Sequence, residues 1–167
     1  MPPASIGFTM KLREIVVEAA IVPCVKATKR DAVIGELVDA LVAAGVISEA
    51  DRPSLVKESI ARERKGSTGF GHGVAVPHAR STLVTQPRAA VGLVPDGVEF
   101  NALDRQPVYS VVFLLSPAGN PDAHLSAMET VFGALSQESF RRFLRQSKNA
   151  ADVLSLLDEV DGLRAQR

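Results

Sequence analysis

A rigidly held histidine follows a glycine-rich segment of the chain. Four glycines lie within residues 66–73, and a Pro77-His78 pair comes shortly after them. Pro77 has a fixed φ and no N–H, and it forces Val76 into an extended conformation, so the chain enters His78 rigidly. If a backbone carbonyl holds one nitrogen of the imidazole, the other nitrogen keeps its lone pair for an electrophile. The pattern predicts a nucleophilic His78, and a purely structural Pro-His at a strand end is the alternative.

The residues around His78 match what a phosphoryl group requires. Such a group carries a charge of about −2, so its site needs hydrogen-bond donors and positive potential. Ser67 and Thr68 supply hydroxyls, the glycine segment supplies backbone amides, and Arg62 supplies a fixed charge. A helix start predicted later in the chain adds its dipole and His124. We therefore expect phosphoryl transfer, with an ordinary turn as the alternative role of the two hydroxyl residues.

Three stretches of this sequence together form a recognisable pattern. They are REx2GSTGxGxGVAVPHAR at 62–80, FNALDxQPV at 100–108, and His124-Leu125. The pattern resembles the EIIA domain of the bacterial phosphoenolpyruvate-dependent phosphotransferase system, fructose/mannitol type, and looks most similar to the nitrogen-regulatory branch. The resemblance extends from about Met10 to Asp161.

The resemblance implies a role for each candidate site residue. In the family, a phosphoryl group moves from the phosphohistidine of a small carrier, HPr or its nitrogen-branch paralogue, onto a histidine that matches His78. The family's second histidine, which hydrogen-bonds the phosphate or its acceptor, matches His124. The family's arginine and hydroxyl positions match Arg62, Ser67 and Thr68. The chain is thus expected to be a phosphotransferase component that carries the phosphoryl group on His78.

His72 is the one visible departure from the family, which usually has Asn at this position. An amide donor is replaced by a group that can be charged or can bind metal, and we expect it within reach of the phosphate. A Zn²⁺ ion held by His72, His78 and His124 is an alternative reading of the three histidines. No carboxylate or cysteine at a recognisable spacing supports that site, so we predict neither a metal nor a cofactor.

The expected partners follow from the same resemblance. An HPr-like phosphocarrier would donate the group, and an EIIB protein or a regulatory target would receive it. Because the EIIA-like part covers almost all of these 167 residues, we expect no accompanying EIIB or membrane EIIC region. Cys24 is expected to be a small buried side chain and is not in an EIIB context. Regulation is therefore favoured, and separate EIIB and EIIC proteins would restore a role in sugar uptake. A third alternative is an interaction module that is no longer phosphorylated.

The surface around His78 is expected to be apolar, because water must be kept out during transfer. Phe70 lies among the glycines and is a candidate anchor for the carrier. Packing of its ring in the core beneath the loop is the alternative.

Composition limits the class of protein. The chain has 167 residues, 19 basic against 19 acidic side chains, 46% hydrophobic residues and one cysteine. This balance predicts one domain without disulfides and gives no general attraction to nucleic acid or anionic lipid. The longest apolar stretch, 108–115, is too short to span a membrane. We expect a soluble cytoplasmic protein with no direct membrane insertion, a flexible leader at 1–9 and an EIIA domain at 10–162.

The periodicity of the sequence predicts an α/β fold, a single domain with a mixed sheet of about five strands flanked by helices on both sides. The predicted helices are 29–44 with a capping box of Thr28 and Asp31, about 52–65, one starting after Asn120, a short one around 140–144, and one capped by Asn149 with Asp152. The predicted strands are 88–94 and 107–116, with a turn at 95–97 and a short edge strand at 98–103.

Overall fold

The computed structural model describes residues 10–165, so the leader predicted at 1–9 lies outside the described residues. The helices are α1 (Leu12–Ile15), α2 (Arg30–Ala43), α3 (Arg52–Lys65), α4 (Pro121–Leu135), α5 (Glu138–Gln146) and α6 (Ala150–Ala165). The strands are β1 (Val16–Val22), β2 (Gly69–Gly71), β3 (Val74–Ala75), β4 (His78–Ser81), β5 (Arg88–Val98) and β6 (Val108–Pro117). Within the described chain no helix is long and apolar enough to cross a membrane.

All six strands belong to one mixed sheet. Its order is β1-β5-β6-β3-β2, and β4 also pairs with β6. β1 runs parallel to β5, β3 and β4 run parallel to β6, and the β5–β6 and β2–β3 pairs are antiparallel. The sheet predicted from the sequence is confirmed, with six strands instead of about five. β6 is central, as its nearly continuous apolar sequence predicts.

The sheet separates two apolar cores. Successive side chains of β6 point to opposite faces, so Val112 and Leu114 enter one core, and Val111, Phe113 and Leu115 enter the other. The first core is completed by α1, α4, α5 and α6, and the second by α2 and α3. The prediction of helices on both sides of the sheet is confirmed.

Several helix starts follow the local signals in the sequence. The helix predicted at about 52–65 matches α3. The Asn120 Oδ1 accepts a hydrogen bond from the Ala123 N–H at the start of α4. Asn149 Oδ1 likewise accepts from the Asp152 N–H at the start of α6. These hydrogen bonds confirm both predicted caps. The caps could be predicted because the partner of each capping oxygen lies only three residues away in the sequence.

The capping box predicted for the first long helix is wrong. α2 begins after Lys29, and no side chain caps it. The Asp31 carboxylate is held instead by two guanidinium groups, those of Arg30 at 3.1 Å and Arg64 at 3.0 Å. These ion pairs bind the Asp31 carboxylate, so the capping box predicted with Thr28 does not form.

Two features of the sheet differ from the sequence prediction. β1 was not predicted, and it pairs with β5 from far away in the sequence. The turn predicted at 95–97 lies within β5, whose pairing with β6 is irregular between Leu93 and Val98. The edge strand predicted at 98–103 does not form, since only Val98 pairs and the chain then runs as an irregular connection to β6.

A buried carboxylate joins the first helix to the last. Asp161 of α6 accepts hydrogen bonds from the N–H of Leu12 at 2.8 Å and of Arg13 at 3.1 Å. These are free backbone donors in the first turn of α1, a helix of only 4 residues. Asp161 therefore caps α1 from the other end of the chain.

Candidate functional site

A buried carboxylate holds the glycine loop against α3. Glu63, 1% exposed, accepts hydrogen bonds from the Thr68 N–H and from the Thr68 hydroxyl, both at 2.8 Å. The Thr68 carbonyl in turn accepts from the Val76 N–H at 3.2 Å. Glu63 thus fixes the segment that leads to Pro77 and His78. Glu63 stands in the first motif, but its role was not predicted from the sequence.

The second motif packs directly on the glycine loop. The Ser67 hydroxyl donates to the Phe100 carbonyl at 2.8 Å, and the Leu103 N–H donates to the Gly69 carbonyl at 2.8 Å. A Cβ at Gly69 would lie 2.8 Å from the Cβ of Ala102, which is closer than real contacts allow. Gly69 is therefore required by this close approach. The connection after β5 acts as a support for the loop.

The imidazole of His78 is held by one ring nitrogen. His78 begins β4, lies opposite Leu114 of β6, and is half-buried. Its Nδ1 is 2.9 Å from the Val76 carbonyl oxygen. A carbonyl only accepts hydrogen bonds, so this contact places the proton on Nδ1 and leaves the lone pair on Nε2. The arrangement is the one that a nucleophilic histidine needs.

His124 lies beside His78. The two ring centroids are 5.7 Å apart, and the planes are inclined by 42°. His124 stands in the first turns of α4, and its Nδ1 is 2.7 Å from the hydroxyl of the buried Ser116. Burial, the Arg80 charge and then the His78 imidazole lower the pKa of His124 below its ordinary value of 6.5. The ring is therefore mainly neutral at neutral pH.

The cation next to the histidine pair is Arg80, which the sequence analysis did not place in the site. Arg80 follows His78 by two residues in β4, so both side chains leave the strand on the same face. Its charge is one cause of the lowered pKa of His124. No carboxylate lies within ion-pair distance of Arg80 among residues 10–165. Strand alternation from His78 is the signal that would have found it.

The other three predicted site residues contact the loop itself. Arg62 is exposed at the end of α3, and its Nη1 donates to the Gly66 carbonyl at 3.1 Å. Thr68 is buried, with its hydroxyl directed at Glu63, and the Ser67 hydroxyl is directed at Phe100. In this structure all three side chains shape the loop that carries His78.

His72 occupies a different part of the surface. It is exposed, has a φ of 59°, and donates its backbone N–H to Asp104 at 3.1 Å. The turn containing His72 comes just before Val74, which pairs with Ser110 of β6. His78 pairs with Leu114, four residues further along the same strand. At the usual rise per strand residue, that offset is about 13 Å. The expected position of His72 beside the phosphate does not match this geometry.

The structure offers no support for the zinc alternative. No group of three His, Cys, Asp or Glu side chains within residues 10–165 is arranged to hold a metal ion. The expectation that Cys24 is buried is wrong, since its side chain is exposed.

Phe70 packs at the edge of a core. Its ring centroid is 5.0 Å from that of Phe132 on α4, and the side chain is half-buried. The geometry favours the packing alternative, while part of the ring stays accessible.

Replacement of Glu63 should loosen the loop. In Glu63→Ala, the Thr68 N–H and hydroxyl lose their acceptor inside the protein, so we expect a loss of about 2–4 kcal/mol in the free energy of unfolding. Glu58→Ala, at an exposed position of the same helix, should change it by no more than about 0.5 kcal/mol. Urea unfolding of both variants measures the difference. Equal stabilities would show that the Glu63–Thr68 bonds do not hold the loop.

Replacement of Phe70 should cost stability because its ring packs on Phe132. For Phe70→Ala we expect about 2 kcal/mol, less than for a fully buried phenylalanine. The matched control is Phe143→Ala, because the Phe143 side chain is 49% exposed and outside this contact. Thermal unfolding should show a lowered Tm for Phe70→Ala alone. An unchanged Tm with slower phosphoryl transfer would show that Phe70 acts through contact with a partner and not through its packing on Phe132.

The lowered pKa of His124 should make folding stability depend on pH. The unfolded chain binds the His124 proton more tightly than the folded protein does. The contribution of His124 to the free energy of unfolding is therefore fully present above about pH 6.5, the ordinary histidine pKa, and is lost as the pH falls through the lower pKa of the folded state. Urea unfolding between about pH 5 and 7.5, a window around the ordinary histidine value, should therefore show a smaller pH slope for His124→Gln than for the wild type. Identical slopes would contradict the effect of burial and of Arg80 on His124.

The fold and the paired imidazoles define a small α/β domain in which a backbone carbonyl holds one nitrogen of a histidine and leaves the other nitrogen free, an arrangement that suits phosphoryl carriers. Over residues 14–160 the sequence matches the family described as "Phosphoenolpyruvate-dependent sugar phosphotransferase system, EIIA 2". The chain belongs to this family. It is a phosphotransferase component and carries a phosphoryl group within this system, as the sequence analysis expects.

Known proteins similar to this chain include fructose-specific and nitrogen regulatory components. The chain is 30% identical over 152 residues to the fructose-specific EIIABC component of Bacillus subtilis. The aligned region covers 91% of this chain and 24% of that protein. The nitrogen regulatory protein IIA-Ntr of Neisseria meningitidis has 30% identity and a TM-score of 0.76, covering 86% of this chain and 97% of that one. A structure from the complex of enzyme IIA mannitol and phosphorylated enzyme IIB mannitol of Escherichia coli has a TM-score of 0.70 at 22% identity. The match covers 84% of this chain and 95% of that one, and it shows that the two share a fold.

Proposed function

We propose that Nε2 of His78 is the atom that accepts the phosphoryl group. The observation that carries this proposal is the contact between Nδ1 and the Val76 carbonyl, which directs the lone pair to Nε2. The donor is the phosphohistidine of an HPr-like carrier. Its N–P bond breaks, the electron pair returns to the donor imidazole, and a new bond forms between phosphorus and Nε2 of His78. Nδ1 keeps its proton throughout and donates it as a hydrogen bond to the Val76 carbonyl.

His124 and Arg80 stabilise the transferred group in this proposal. The ring centroids of His124 and His78 are 5.7 Å apart, so a phosphoryl group bound to Nε2 of His78 is added next to the His124 imidazole. As the phosphoryl oxygens arrive, their negative charge favours protonation of His124, opposite to the effect of Arg80 in the free protein. The start of α4 adds its dipole on the same side. Arg62, Ser67 and Thr68 contribute by holding the glycine loop.

The carrier docks on an apolar rim. Leu125, the residue after His124, is 59% exposed, and the Phe70 ring in the glycine loop is only half-buried. Apolar contacts there keep water away from the two histidines while the phosphoryl group moves.

The recipient is a regulatory target or an EIIB protein. The mannitol IIA–IIB complex supports the view that this fold presents its site to an EIIB partner, and the Neisseria nitrogen regulatory protein supports a regulatory role. We favour regulation through partner binding that depends on phosphorylation. An EIIB and EIIC pair encoded beside this chain would favour sugar uptake. Both roles place the protein in the cytoplasm, where phosphoenolpyruvate is made.

A reconstituted relay tests the proposal. The protein is incubated with phosphoenolpyruvate, the first enzyme of the system and either HPr or the nitrogen-branch carrier, and intact mass is measured at neutral pH. We expect one added, acid-labile phosphoryl group that requires the carrier. Absence of the label with both carriers would favour the alternative of an interaction module that is not phosphorylated.

A further inference from the structure

A groove lined by basic residues lies away from the histidine pair. These residues are His72 from the turn after β2, Arg141, Arg142 and Arg145 from α5, and Lys148 from the segment after α5. Its volume is about 510 Å³. A second depression of about 230 Å³ shares His72, Arg141 and Arg145 and extends to Tyr109 and Ser110 on β6.

The positive charge of this groove is not neutralised by the protein. Within residues 10–165, Arg141, Arg142, Arg145 and Lys148 make no ion pair, whereas four other arginines do. Two carboxylates line the depressions, those of Glu138 and Asp104. The Asp104 carboxylate already accepts the backbone N–H groups of His72 and Gln106. The groove therefore keeps a net positive charge in a chain whose formal net charge is zero.

Two of these arginines are held in position by the protein itself. The Arg145 guanidinium carbon lies 3.4 Å from the centre of the Tyr109 ring. Arg141 donates from Nη1 to the Leu135 carbonyl at 2.9 Å. Both guanidinium groups keep further N–H donors for a ligand. Ordered side chains lose less freedom on binding, so these two contacts prepare the groove for an anion.

We propose that this groove binds a small molecule that carries at least two phosphate groups. Arg141 and Arg145 are one helical turn apart, which separates their Cβ atoms by about 5–6 Å and suits two adjacent phosphates. Guanidinium groups bind phosphate oxygens in pairs. The volume falls within the range of small-molecule sites, of about 300–1,000 Å³. The groove lies beyond Ser110 on β6, so it is separate from the phosphoryl site at His78.

Calorimetric titration tests this site without any phosphoryl transfer. Inorganic pyrophosphate and ADP are each titrated, at low ionic strength and without Mg²⁺, into the wild type and into His78→Ala. We expect binding to both proteins, because the groove does not use His78. Tighter binding of ADP would identify a nucleotide as the source of the phosphates, and equal binding would identify the phosphates alone. Either result supports the groove.

Two double variants with the same change in net charge localise the binding. Arg145→Gln with Lys148→Gln should weaken pyrophosphate binding about tenfold or more, because charged hydrogen bonds are lost. Lys57→Gln with Lys65→Gln, at exposed positions of α3, should change it less than about twofold, because screening weakens charges at a distance. Melting curves show whether each variant is folded. If the variant with Arg145→Gln and Lys148→Gln is unstable, Lys148→Gln alone, at an exposed position, replaces it in the titration.

Three results would overturn the proposal. They are no binding of either probe, equal weakening by both double variants, and binding of hexaglutamate as tight as that of pyrophosphate. The last result would assign the groove to an acidic segment of a protein.

Discussion

The His78→Ala protein should take up no phosphoryl group at all. The loss is complete because the nucleophile itself is removed. His124, the other imidazole at the site, has its Nδ1 2.7 Å from the Ser116 hydroxyl and lies half-buried near the Arg80 charge. Intact-mass measurement after incubation with the reconstituted relay reads out the result. The fold should be retained, since His78 is only half-buried and its ring contacts the backbone of Val76.

A third histidine provides the matched control for this experiment. His72→Ala should be labelled like the wild type, because His72 lies on the turn before β3 and lines the basic groove. Acid-labile phosphate that persists in His78→Ala would remove the basis of the proposed mechanism. Loss of label in His72→Ala with normal folding would mean that the turn contributes to the acceptor site.

The second large effect is expected at His124. Removal of one preorganised donor from a charged transition state costs about 10²–10³ in rate at comparable sites. His124→Ala should therefore be phosphorylated more slowly by that factor, and transfer back to the carrier should slow equally. Rapid-quench measurements in both directions with the same carrier give the two rates. The label should still map to His78.

Two further variants separate the donor function from mere space filling. His124→Gln keeps an N–H donor at this position and should recover part of the rate. Ser116→Ala keeps the imidazole but removes the hydroxyl 2.7 Å from Nδ1, so it should slow transfer less than His124→Ala. An unchanged rate in His124→Ala in both directions would contradict the role proposed for His124.

Much of the fold follows from signals that act over a few residues. Asn120 and Asn149 cap helices through N–H groups three residues away, and the apolar run of β6 shows that both its faces are covered. Predictions failed where distant residues decide the outcome. β1 is defined by pairing with β5, and Asp31 is bound by Arg64, which is 33 residues away in the sequence. Local propensity carries no information about such partners.

The site was predictable to a similar degree. Pro77 and the motif around it identify His78, and the helix start predicted after Asn120 brings His124 to the sheet. Arg80 was missed because its position depends on the continuation of β4 beyond His78. The role of Glu63 in holding the loop could not be predicted, because a glutamate is normally exposed. A buried carboxylate is rare and needs hydrogen-bond or ion-pair partners, which the sequence does not identify.

The cap that Asp161 provides to α1 has a consequence for the connectivity of the molecule. Leu12 and Asp161 are in contact across a separation of 149 residues. The two ends of the described fold therefore leave the structure at one place, on one side of the sheet. A polypeptide of this kind can be inserted into a larger chain through a single point of entry and exit, and its order of elements can be permuted with a short linker.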